Sequence, residues 1–275
     1  MSLKEYLTDK SVWAYLVNNI FLISNHFDLP GVFEKNATHS ANGSLWTLRY
    51  EVLMYIVVMI AGVIGGVRFF GKICVAILIL CIGIWIINES GNFKDFSIAL
   101  KDFLQQLQRL TGFSFTLSDL TGNGIFFFSG SCYYIFRTRI KISLIGAFAL
   151  CFVFQWAATT VMVTSIMLWV ILPYVIMVLA YYLGKPARYL GDFDASYGVY
   201  IYSFPITQLI CAIALHSNFE WYFIFLCSLG LTMVMAAASW YWIERPALLH
   251  KSRWIGLLRT RENNFLLNSR ANYSQ

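Results

Sequence analysis

The chain has 275 residues, 59% of them hydrophobic and 12% charged, with a net charge of +6 and a mean hydropathy of +0.63. A soluble domain carries about 25% charged residues, so this chain has too little polar surface to coat a water-soluble globule. Composition therefore predicts an all-α, polytopic transmembrane helix bundle, and it excludes a nucleic-acid-binding role, because the basic residues sit in short clusters between apolar runs as topology signals do.

In chain order, the opening MSLKEYLTDK lacks the apolar core and small-residue cleavage site of a signal peptide. The run 12–24 is short for a crossing and carries Asn18 and Asn19 in mid-segment. It is expected to lie in the interface or to complete a helix begun elsewhere. Apolar runs follow at 45–67, 69–87, 120–136, 142–156, 160–183, 196–215 and 221–243, about seven spans at about 20 residues each. The stretch 142–183 holds about two crossings at 1.5 Å per residue, which requires a turn at 155–160. Between the second and third spans, FSIALKDFLQQLQRL repeats Phe96, Leu100, Phe103, Leu107 and Leu110 at helical spacing against Lys101, Asp102, Gln105, Gln106 and Arg109. That pattern predicts an amphipathic helix on the outer membrane surface, either packing its apolar face on the bundle or serving as a substrate lid.

Lys and Arg in short loops mark the cytoplasmic face. Arg68 and Lys72, then Arg137, Arg139 and Lys141, then Lys185 and Arg188, then Arg245, Lys251, Arg253, Arg259 and Arg261 are each separated by a pair of spans. All four clusters then lie inside, the C-terminus is cytoplasmic, and the start of the first span near Trp46 lies outside. Residues 1–250 read as one membrane domain and 251–275 as a solvated cytoplasmic tail. The six cysteines all fall in apolar runs with no C-x-x-C spacing; they read as small hydrophobes, neither disulfides nor a metal site.

An acid inside a span costs several kcal/mol and is usually kept for a reason. Glu51, in NGSLWTLRYEVLMYIVV, is the carboxylate that falls clearly within one. Thr47, Glu51 and Tyr55 follow at i, i+4 and i+8, so their side chains stack on one helix face and can share hydrogen bonds. Arg49, two residues away, cannot face Glu51 on the same helix. Such a carboxylate, buried beside hydroxyls, suits a general acid or base; the competing reading is a Glu that fixes helix packing by a hydrogen bond. Further on, LGDFDASYGVYIYSFPITQ places Asp192 and Asp194 just before a helix. Asp-x-Asp can hold a metal, but here the acids read as capping residues and no metal site is expected. Tyr197, Gly198, Tyr200, Tyr202, Ser203 and Pro205 supply hydroxyls and a kink suited to lining a cavity. In WYWIERPALL, Pro246 is expected to stop the last helix. His26, His39, His216 and His250 are all expected in loops. No Ser, His and Asp constellation and no glycine-rich phosphate loop is present in the sequence.

NGSLWTLRYEVLMY, LGDFDASYGVYIYSFPI and WIERP, in this order and separated by apolar spans, resemble the membrane-bound acyltransferase family 3, mostly bacterial O-acyltransferases that modify surface sugars. The resemblance runs from about Leu16 to Pro246. It implies that Glu51 is the family's functional glutamate and that Trp46 and Thr47 shape its site; from the hydroxyls they supply, Tyr55, Tyr197, Tyr200 and Ser203 are expected to contact substrate. It also implies an acyl-CoA donor, usually acetyl-CoA from the cytoplasm, with no bound cofactor. The acceptor is a hydroxyl of a glycan or lipid-linked sugar, and the location a bacterial inner membrane. Family members begin with further spans, one bearing Arg-x10-His with a histidine thought to be the catalytic base. Relative to that pattern the chain is expected to be N-terminally truncated, and its activity alone to be lost or dependent on a partner. Two other readings stand beside the enzyme: a transporter or flippase for a lipid-linked glycan, and a non-catalytic remnant or partner subunit.

Overall fold

In lipid every backbone N–H and C=O must be satisfied within the segment, so long apolar runs fold as helices. The structure is a computed structural model describing residues 3–23, 27–90, 93–187, 192–215 and 219–251, and among them all regular structure is helical. The elements are α1 (Leu3–Thr8), α2 (Lys10–Ile20), α3 (Leu48–Ser90), α4 (Lys94–Thr111), α5 (Leu117–Ile135), α6 (Leu144–Ala157), α7 (Val161–Ala187), α8 (Ser196–Ala214) and α9 (Trp221–Ser239), the last running on through a π-helical turn at Trp240–Glu244. Among the described residues, five helices are long and apolar enough to cross a membrane: Gly43–Gly66, Phe69–Ser90, Val161–Gly184, Ser196–Ala214 and Trp221–Lys251. The expected third span, α5, is 19 residues long but diluted by Asp119, Asn123 and several glycines and serines. The expected fourth, α6, has 14 residues, about 21 Å of helix.

The chain divides into two compact units, Met1–Pro30 with Leu45–Gly191, and Gly31–Ser44 with Asp192–Gln275. In the first, α3 is a helical hairpin. Gly66 has φ 52 and ψ −172, a conformation closed to side-chain-bearing residues. The chain reverses there, so that Met54 and Cys74 meet in one core with Phe128 of α5. The buried face of α5 mixes large and small residues, Leu117, Ile125 and Phe128 with Thr121, Gly124 and Ser129, and a Cβ on Gly124 would come within 3.1 Å of Cys81 Sγ. Helices in a bilayer gain their contact energy from such close approach, because lipid gives no hydrophobic drive between them. Trp85 and Trp169 join α3 to α7 edge to face at 4.6 Å between ring centroids. The amphipathic segment is helical as expected, ends at Gly112 in the left-handed conformation, and turns Leu100, Phe103 and Leu104 towards Leu53, Leu80 and Leu120.

In the second unit α8 and α9 pack through small residues. A Cβ on Gly198 would meet Ala236 Cα at 2.8 Å, and Ser228, Thr232, Ala236 and Ser239 form the buried stripe of α9. Pro205 lies inside α8. Lacking an N–H, it leaves the carbonyl of Ile201, four residues earlier, without its helical donor. Asn42 of the loop 31–44 supplies one, its Nδ2 donating to Ile201 O at 3.1 Å. Further along α8, buried Gln208 donates to Thr38 O (2.9 Å), Thr38 Oγ1 (2.6 Å) and Ser40 O (3.1 Å). Asn36 in turn donates to Gln208 O and Oε1 at 2.8 and 2.7 Å. The loop is thus fastened along the helix by side-chain amides.

Pro246 does not stop the last helix, contrary to the expectation from sequence: helical structure continues to Lys251. The physical reason lies one turn upstream. At Trp240–Glu244 the chain winds with five-residue hydrogen bonds, Arg245 N–H donating to Trp240 O, and the widened turn accommodates the pyrrolidine ring that an α turn would reject. His250 therefore sits in the last described helical turn and not in a loop, while His39 is in the loop 31–44. His26, His216 and the expected tail beyond Lys251 lie outside the described residues.

Replacing Gly66 by Ala is expected to destabilise the protein by about 1–3 kcal/mol through backbone strain alone, since nothing lies within 4 Å of the added Cβ. Gly62→Ala, also in open space but in a helical conformation, should be neutral or gain up to about 1 kcal/mol. Thermal unfolding of both in detergent checks the contrast. Asn42→Ala should cost about 1–3 kcal/mol by stranding the Ile201 carbonyl. In a Pro205→Ala background the cost should fall, because residue 205 then donates its own N–H. A double-mutant cycle with no coupling would refute that account.

Candidate active site

Glu51 lies in the first turn of α3, within the candidate span Gly43–Gly66. The i, i+4 spacing does what the sequence predicts: the Tyr55 hydroxyl donates to Glu51 Oε1 at 2.5 Å. Tyr55 is itself steered by an edge-to-face contact with Phe127 of α5, 5.7 Å between centroids. One carboxylate oxygen is thereby fixed, and the other is free to accept a proton or a hydrogen bond from a hydroxyl. Other protein residues leave the Glu51 face of the helix exposed, so its dielectric surroundings are set by what covers that face.

Trp46 is 41% exposed and meets Tyr50 edge to face at 6.2 Å, while Thr47 is half-buried one turn before Glu51. Tyr50, 1% exposed, donates to Asp119 Oδ2 at 3.3 Å and accepts from Thr116 N–H at 3.3 Å. Thr116 caps α5, its Oγ1 accepting the Asp119 N–H at 3.2 Å and donating to Asp119 Oδ2 at 2.6 Å. Trp46, Thr47, Glu51 and Tyr55 thus stand at one end of the first unit, on a helix start braced against α5.

Tyr197, Tyr200 and Ser203 belong to the second unit. Tyr200 donates to Ser44 O at 2.6 Å, holding the loop that Asn42 and Gln208 also hold. Ser203 Oγ donates back to Tyr200 O at 3.3 Å, an ordinary helical back-bond. Tyr197 lines a cavity of about 410 Å³ with Asp194, Ser196, Trp240, Glu244 and Lys251. Here Asp194 Oδ1 accepts the Ser196 N–H (3.1 Å) and hydroxyl (2.6 Å), the capping role expected of it. Those two donors hold its carboxyl below the usual carboxylate range. The stability they contribute is present above that range and is lost as pH falls through the lowered value.

Sequence reasoning missed three polar residues. Gln208 and Asn36 are buried at 7% exposure each, and an amide within an apolar run was the available signal for Gln208. Arg49, set aside because it cannot face Glu51, is 5% exposed. It occupies the opposite side of α3, donating to Ser114 O at 2.8 Å and Ser114 Oγ at 3.1 Å.

No family model matches the chain, and no solved structure does. A curated protein from Shigella phage Sf6, named O-acetyl transferase, is similar to it, with 26% identity over 222 residues, which is 78% of this chain and 59% of the relative. The chain therefore spans about three fifths of the length of the curated relative that it matches. The likeness supports a relationship to that O-acetyl transferase.

Proposed function

We propose that the chain works as a membrane-bound O-acyltransferase, of the acyltransferase family 3 type, transferring an acetyl or other acyl group from acyl-CoA to a sugar hydroxyl of a cell-surface glycan such as O-antigen or exopolysaccharide. The observation that carries the reading is the likeness to an O-acetyl transferase over 78% of the chain. The Glu51–Tyr55 pair gives it a chemical centre.

In the proposed reaction the acceptor hydroxyl attacks the thioester carbonyl and gives up its proton as the new ester bond forms. The tetrahedral oxyanion then collapses, the C–S bond breaks, and CoA leaves as the thiol once protonated. Glu51 takes the acceptor's proton or orients the group that takes it, and Tyr55 fixes the carboxylate for that task. Trp46 and Thr47 shape the surroundings of Glu51, and the hydroxyls of Tyr197, Tyr200 and Ser203 offer substrate contacts in the second unit. In the same proposal α5 and α6 complete seven crossings and the basic clusters face the cytoplasm. The C-terminus is then inside and Glu51 lies in the outer leaflet of a bacterial inner membrane, where it meets a glycan or lipid-linked sugar.

Acetylated glycan, measured by mass spectrometry in cells making the protein, should fall by about 10²-fold or more with Glu51→Gln. Tyr55→Phe, which removes one charge-assisted hydrogen bond, should reduce it by about tenfold. Undiminished product from Glu51→Gln, at matched protein level, ends the proposal.

A further inference from the structure

Arg49 is a cation placed where a cation is expensive. It is the second residue of α3, within a candidate span, and is 5% exposed. Nη1 has its two oxygens on Ser114, and Cζ lies 5.3 Å from the Tyr50 ring centroid. Nε is buried with no hydrogen-bond partner. Asp119 attracts the guanidinium at longer range, but its carboxylate is hydrogen-bonded to Tyr50 and Thr116. A buried charge in apolar surroundings is stabilised only when it is paired and its donors are satisfied. Nothing among the described residues completes that requirement at Nε.

Beside the guanidinium lies a cavity of about 320 Å³. Apart from Arg49 its walls are apolar, with Val52 and Ile56 from the same face of α3, Phe113 and Phe115 from the loop before α5, and Leu22 after α2. Val52, Ile56 and Phe113 are each about two-fifths exposed, at 43%, 43% and 39%, so the cavity opens sideways. Leu22 is held at φ 57, a left-handed conformation that costs a branched apolar residue of order 1 kcal/mol and that clusters at ligand clamps. Its neighbour Ile23 accepts the Ser114 N–H at 3.1 Å, which ties this strained turn to the residue that holds Arg49. The positions 49, 52, 53 and 56 recur at i, i+3, i+4 and i+7, whereas Thr47, Glu51 and Tyr55 occupy the opposite side of the helix. The cavity is therefore separate from the carboxylate centre.

We infer that this cavity binds an anionic amphiphile, its oxyanion head on the Arg49 guanidinium and its apolar chain along Val52 and Ile56 between Phe113 and Phe115. Guanidinium is matched to phosphate and carboxylate geometry. The position in the first turn of α3 adds the positive end of the helix dipole. The head comes from a lipid phosphate or from a fatty carboxylate, the two sources of this chemistry in a membrane.

Native mass spectrometry of the full chain in a nonionic detergent tests this, with dodecyl phosphate, dodecanoate, dodecanol and inorganic phosphate as probes. One equivalent of dodecyl phosphate or of dodecanoate should bind, the tighter of the two identifying the source, and dodecanol and inorganic phosphate should bind at least about tenfold more weakly. Arg49→Gln should lower the occupancy by about tenfold. Ile56→Trp, which fills the chain's path from a partly exposed position and leaves Arg49 and its Ser114 bonds in place, should do the same. Equal binding of dodecanol, tight binding of chainless phosphate, or undiminished binding in Ile56→Trp would overturn the assignment. Because the readout is binding and not acyl transfer, its failure leaves the proposed function untouched.

Discussion

The second unit depends on a carbonyl that its own helix cannot satisfy. Pro205 frees Ile201 O inside an apolar helix, and Asn42 of the loop 31–44 fills the gap. An unmet carbonyl costs several kcal/mol in hydrocarbon, so the proline in effect specifies a side-chain donor from elsewhere. With Gln208 and Asn36 completing the fastening, a segment of irregular backbone is held against α8 by side-chain amides. In the first unit a side chain also bonds a helix carbonyl, Tyr133 of α5 donating to Val170 O of α7 at 2.9 Å.

The loop 31–44 ends at Ser44, the last residue of its unit before the chain passes to the first. Ser44 is gripped by Tyr200 on its carbonyl and by Asn42 on its N–H, at 2.6 and 3.1 Å. A few residues later Tyr50 is buried and bonded to Asp119. Glu51 follows at once, so its backbone is fixed on one flank by a buried ring while its side chain points away to an exposed face. Rigid support behind and freedom in front are what a group needs if it is to meet a substrate without first being ordered. The short bond from Tyr55 removes part of the remaining rotamer freedom of the carboxylate.

Much of the helix plan was legible because hydropathy and spacing are local. The turn expected at 155–160 falls between α6 and α7, which end and begin at Ala157 and Val161. The amphipathic pattern from Phe96 to Leu110 is helical from Lys94 to Thr111. The pairing of Tyr55 with Glu51 follows from helix geometry alone. What was not legible depends on partners distant in sequence. Nothing local says that Asn42 answers Pro205, that Gln208 reaches back to Thr38, or that Arg49 finds Ser114, 65 residues on. Pro246 was misread for a related reason: the rule that proline ends a helix assumes α winding in the turn before it, and a π turn removes the steric premise. The exposure of Glu51 likewise depends on how α3 and α5 share their faces, which periodicity does not fix.

The π turn at Trp240–Glu244 also stores one residue of slack. In an α-helix the loss of a single residue rotates everything downstream by about 100° and breaks the packed face. Here a one-residue deletion can be absorbed by rewinding the wide turn, although Glu244 would give up its reach to Ser239 Oγ, five positions back at 2.9 Å, and Pro246 would then press on a tightened coil. Lineages of this chain are therefore freer to drift in length at this point than within α8, where the spacing from Ile201 to Pro205 admits no such play.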